Sequence, residues 1–92
     1  MRKFNFKIPV TIFREGDSFI SYSPALDLST TALTFEETKK RFAEAVNIFF
    51  EEIEKMGTLE KVLADLGWRK VENEWRPMTP IVHEMQQFQV NA

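Results

Sequence analysis

Apolar and polar residues alternate along this chain with two distinct periods, and the change of period marks out its elements. Between residues 34 and 56, Phe35, Phe42, Phe49 and Met56 recur every seven positions, and Val46, Phe50 and Ile53 widen the same stripe. That spacing predicts an amphipathic helix with one face on a core. Glu37, Lys40, Arg41, Glu44, Glu51, Glu54 and Lys55 fill the other face. Thr34 suits the N-cap, Glu37 stands where a capping box closes, and Gly57 can end the helix.

Ahead of the helix the period is two. Phe4, Phe6, Ile8, Val10 and Ile12 alternate with Lys3, Asn5, Lys7, Pro9 and Thr11, which predicts a strand over residues 4–13 with one buried face. Pro9 donates no backbone hydrogen bond, so this strand belongs at an edge. Residues 14–17, with Gly16, read as a turn, and residues 18–23 as a returning strand whose Ile20 and Tyr22 share the first strand's buried face. Pro24 breaks the run. Residues 24–28 read as a bend, and residues 29–33, with two threonines, as a third short strand leading into Thr34.

Beyond Gly57, the spacing of Leu59, Val62, Leu63 and Leu66 predicts a short helix over residues 58–66, capped by Thr58 and stopped by Gly67. Residues 68–75 read as a fourth strand, with a small hairpin turning at Glu72, Asn73 and Glu74 as the alternative. The expected fold is therefore α+β, β-β-β-α-α-β, with a three-stranded antiparallel sheet, occupying residues 1–76. Residues 77–92 form an extended tail that starts with the stiff pair Pro77 and Pro80. In the tail, Val82, Phe88 and Val90 keep one strand-like register with no strand left to pair with. Such segments tend to pair between chains, so a homodimer joined through the tail or the sheet edges is expected.

Composition narrows the function. A chain of 92 residues has room for one modest core, and nine phenylalanines and two tryptophans supply its volume. The absence of cysteine removes disulfides, thiolate metal sites and a cysteine nucleophile. A net charge of −2 argues against a general affinity for nucleic acid. No apolar run approaches membrane-spanning length and the N-terminus lacks a secretion signal's apolar stretch, so a soluble cytoplasmic protein is expected.

Candidates for chemistry are few. Asp17 sits in a turn, Asp27 suits a bend, and the acids of the long helix read as a solvated face. His83 is the single histidine and has no nucleophile or second ligand near it in sequence. Trp68 and Trp75 flank Arg69, Lys70 and Arg76, a mixture that can bind nucleic acid or a partner, although packing on the sheet is the simpler reading. Gly16, Gly57 and Gly67 are too far apart for a phosphate loop. No catalytic residue, metal site or cofactor is expected.

The run FISYSPALDLST at residues 19–30, followed by Thr34, Phe35, Glu36 and Glu37 opening the helix, resembles the HicB-type antitoxin family. Residues 57–60 and 66–68 resemble the linker helix of its compact members, so the likeness spans about residues 13–68. The resemblance implies a reduced ribonuclease-H-like fold. It also implies a partner, a small HicA-type toxin that cleaves messenger RNA and is silenced when the antitoxin covers it. The partner-binding residues would be Tyr22, Pro24, Leu26, Asp27, Leu28 and Thr30. Ala32 and Leu33 stand where the family often has glycine. Residues 69–92 are too few for a helix-turn-helix, so direct DNA binding is not expected. The alternatives are an orphan HicB-like oligomeric module with no toxin, and a metal-dependent nuclease using Asp27 with a helix acid such as Glu44.

Overall fold

The computed structural model describes residues 5–91 of the chain. Its elements run β1 (Thr11–Glu15), β2 (Ser18–Ser23), β3 (Leu28–Ala32), α1 (Phe35–Lys55), α2 (Leu59–Asp65), β4 (Arg69–Val71) and β5 (Glu74–Arg76). The first three strands form an antiparallel sheet in the order β1-β2-β3, and β4 and β5 form a separate hairpin. This is the expected α+β layout, with the hairpin alternative in place of a single fourth strand. Among the described residues, no helix is long and apolar enough to cross a membrane.

The first strand is shorter than the alternation predicts. Residues 5–10 run into β1 without joining the ladder, and Phe4 lies outside the described residues. Phe6 and Ile8 still pack on the core, whereas Val10 is exposed. The register of the hairpin sets which side chains share a face. Phe13 stands opposite Ile20, and Ile12 opposite Ser21. Because side chains alternate, Ile12, Phe19, Ser21 and Ser23 form one face, and Phe13, Ile20 and Tyr22 form the other. The helix lies on the first. Ile20 and Tyr22 therefore do not share the face of Ile12, contrary to the sequence-based expectation.

The reason is the kind of contact that joins helix and sheet. Thr38 of α1 is fully buried against Ser21 of β2, with their hydroxyls 3.2 Å apart. The Thr38 hydroxyl also donates to Thr30 O at 3.2 Å. A threonine has one hydroxyl proton, so Ser21 is the donor in the bond between the two side chains. Thr30 Oγ1 in turn donates to Thr38 O. Small hydroxyl side chains let the helix approach closely while each buried polar atom keeps a partner.

Helix α1 starts at Thr34, whose Oγ1 accepts from Glu37 N at 3.1 Å. The reciprocal half of the capping box is not made. The Glu37 carboxylate turns instead to Arg41, 2.9 Å away. Phe42 and Ile53 are buried and Val46, Phe49 and Phe50 are half-buried on the core, but Phe35 and Met56 are exposed. A seven-residue repeat drifts about 20° per heptad on a straight helix, so over three heptads the two ends of the stripe diverge by about 60° and cannot both face the core.

Both helices end in the same way. At α1, Gly57 N donates to Glu54 O and Thr58 N to Ile53 O. At α2, Gly67 N donates to Ala64 O and Trp68 N to Leu63 O. These are Schellman closures, which need a left-handed residue after the cap. Gly57 (φ +69°) and Gly67 (φ +92°) supply it. Thr58 does not cap α2 through its side chain, and its hydroxyl donates back to Ile53 O. The second closure throws Trp68 onto Leu63, the contact between C″ and C3 that accompanies this motif. Both are buried in the core with Ala25, Leu26, Ile53 and Leu59. Phe6 and Phe50 pack their rings on Trp68 with centroids 5.6 and 6.2 Å away. The hairpin β4–β5 turns at Glu72 and Asn73, both with positive φ.

Candidate interaction surface

The bend between β2 and β3 carries most of the residues singled out from the sequence. Two anchors hold it. Ala25 N donates to Ser23 Oγ at 3.3 Å, and the Trp68 indole donates to Ala25 O at 2.7 Å from 43 residues away. Ala25 and Leu26 are consequently buried, with Leu26 in the core cluster. Leu28 is half-buried on the same cluster, and Thr30 faces Thr38. The surface of the bend is left to Pro24 and Asp27, beside the half-buried Tyr22. Asp27 holds a positive φ of +48°, and its Oδ1 accepts from the Tyr22 hydroxyl at 3.4 Å. That bond spans the edge of the bend and links it to the outer face of the sheet.

The outer face is the larger feature. Across it run Phe13 and Ile20 as one cross-strand row with Thr31, and Thr11 and Tyr22 as the next with Ser29. Among the described residues no helix covers these rows, and Phe13 is 51% exposed. Phe13 was not singled out from the sequence, and Ile20 was expected on the buried face. The signal lay in the two-residue connection Gly16–Asp17, which fixes the register and so places Phe13 directly across from Ile20.

The two edges of this sheet differ. At β3, the Arg41 guanidinium donates to Thr31 O at 3.0 Å while held by Glu37. At β1, among the described residues, no hydrogen bond engages the strand on the side away from β2, and only the Arg14 side chain reaches back to Gly16 O. Charged side chains laid over a strand edge discourage pairing, and a bare edge invites it.

The other candidates are dispersed. Asp17 is in the exposed turn, Glu44 is on the solvent side of α1, and His83 is on the exposed tail. Among the described residues no three histidine or carboxylate side chains are grouped closely enough to hold a metal ion. Trp75 is half-buried on the core and Lys70 lies 5.9 Å from its ring centroid. Acids accompany the bases here: Lys70 pairs with Glu60 at 3.4 Å, and Arg76 with Glu74 at 3.6 Å. Arg69 stands across from Arg76.

In the tail, Met78 lies over Gly67, where its Cγ and Sδ would sit 3.1 Å from an added Cβ. Beyond it, residues 81–91 make no strand. Ile81, Val82, Met85, Phe88 and Val90 are between 66% and 101% exposed. No protein-family model, no curated protein and no solved structure matches this chain.

Proposed function

We propose that this chain is a binding protein of the HicB antitoxin type, which silences a small HicA-type, mRNA-cleaving toxin by covering its catalytic surface. It does no chemistry of its own in this reading, and its three-stranded sheet and long helix form the core of a reduced ribonuclease-H-like fold. The observation that carries the proposal is the open outer face of the sheet. Phe13, Ile20 and Tyr22 present apolar and aromatic surface there, continuous with Pro24 and Asp27 at the bend. A rigid aromatic centre with a polar rim is the usual composition of a protein interface. The run at residues 19–30 that resembles the family includes Ile20, Tyr22, Pro24 and Asp27.

The test is co-purification with the product of the neighbouring small gene, read by mass spectrometry and by RNA cleavage. The expected result is a stoichiometric basic partner whose ribonuclease activity disappears on mixing. Ile20→Lys and Tyr22→Lys should each release that activity with the circular dichroism spectrum unchanged. Recovery of the protein without such a partner would overturn the reading in favour of an orphan module. Magnesium-dependent RNA cleavage by the protein alone would overturn it in favour of a nuclease.

A further inference from the structure

We propose that residues 81–91 of one chain add as an antiparallel strand to the bare edge of β1 in a second copy, and that the exchange is reciprocal. This does not depend on the antitoxin reading.

The chain carries two incomplete surfaces that fit each other. One is β1, an edge strand whose outward backbone groups have no partner among the described residues, with Phe13 half uncovered beside it. The other is a tail with five large apolar side chains in the open and no strand to join. The opposite edge of the sheet is not equivalent, because Arg41 and Glu37 lie over β3. Strand addition satisfies backbone groups on both partners and lets alternate side chains set the register.

The register follows from matching faces. With Phe88 across from Phe13, Val90 falls across from Thr11 and Gln86 across from Glu15. The row Thr31, Ile20, Phe13 then gains Phe88, and the row Ser29, Tyr22, Thr11 gains Val90. On the other face Gln87 meets Arg14 and Gln89 meets Ile12, so the polar tail side chains fall away from the outer apolar rows. A slip of one residue would reverse this.

The tail is long enough for the exchange. At about 3.3 Å per residue, residues 81–91 span roughly 36 Å, enough to cross the short axes of a molecule measuring 47 × 31 × 22 Å. Each chain would give residues 81–91 and receive another tail along the five residues of β1, a contact smaller than the roughly 20–30 residues a side of a standard stable interface and in keeping with a dimer of modest affinity. Reciprocal exchange closes the assembly at two chains.

The protein has no cysteine, so introduced pairs report cleanly. Directly opposed residues in an antiparallel pair lie within disulfide reach. Thr11→Cys with Val90→Cys should oxidise to a covalent dimer, and Ile12→Cys with Val90→Cys should give at least tenfold less. Light scattering of the unmodified chain should read twice 10.8 kDa. Phe88→Glu, at a site exposed in the single chain, should raise the dimer dissociation constant at least tenfold with the circular dichroism spectrum unchanged. A monomeric mass at micromolar concentration would overturn the proposal. So would a disulfide closed within one chain, equal crosslinking by the two pairs, or a dimer indifferent to Phe88→Glu.

Discussion

Replacing Trp68 with phenylalanine tests how the bend is held. Trp68 is 3% exposed, and its indole donates to Ala25 O at 2.7 Å. Phenylalanine keeps an aromatic ring against Phe6 and Phe50 but has no donor. The carbonyl of Ala25, itself fully buried, is then left without its partner. An unsatisfied buried polar group costs about 1–3 kcal/mol. The smaller ring also leaves a void, adding roughly 1 kcal/mol. The expected loss is about 2–4 kcal/mol, against a total stability of roughly 5–14 kcal/mol for a chain of this length. Urea unfolding followed by far-ultraviolet circular dichroism should show the midpoint lowered by about 1–2 M at a slope of about 2 kcal/mol per M, the middle of the usual range. Trp75→Phe, at a half-buried site in the hairpin, is the control and should cost less than about 1 kcal/mol. If the two substitutions shift the midpoint equally, the hydrogen bond to Ala25 does not hold the bend and the reasoning fails.

Three further outcomes are expected. Thr38→Val keeps the shape of the side chain but strips Thr30 O and the Ser21 hydroxyl of their shared partner, so it should cost about 1–3 kcal/mol in the same urea assay; a cost below about 0.5 kcal/mol would mean that water replaces the hydroxyl. Thr34→Ala removes the cap on Glu37 N and should cost about 1 kcal/mol, whereas Thr34→Asp should restore stability; failure of the rescue would refute the capping role. Glu72→Asn with Asn73→Gly relieves two side chains held at positive φ and should stabilise the hairpin by up to about 1 kcal/mol; a thermal midpoint that falls would contradict that turn geometry.

The long helix was legible because 21 residues share one period and both ends carry their own signals, Thr34 and Gly57. What the alternation misjudged was the inner face of β2. Ser21 and Ser23 look like solvent positions by polarity, yet both are fully buried, Ser21 against the Thr38 hydroxyl of the helix and Ser23 with its Oγ accepting from Ala25 N. That displaced Ile20 and Tyr22 to the outside, where the candidate surface is. Trp68 was readable as apolar, but not as the pin of a bend 43 residues earlier, because that contact joins segments distant in sequence. Of the bend residues, Tyr22, Pro24 and Asp27 reach the surface. Leu26, Leu28 and Thr30 turn toward the core, a division that depends on the anchoring of Ala25 and that no local spacing reveals.

The pin at Trp68 also bears on the order in which the protein matures during synthesis. The bend at residues 24–27 belongs to the first third of the chain, yet its anchor is translated 43 residues later. At about 5–20 residues per second, the ribosome needs roughly 2–9 s to cover that interval. Until then β2 and β3 can pair, but the loop that joins them lacks the indole that fixes Ala25. In a nascent chain stalled before residue 68, the backbone amides of Ala25 and Leu26 should therefore exchange with solvent faster than they do in the finished protein. The surface around Tyr22 and Asp27 takes its final shape only late in translation.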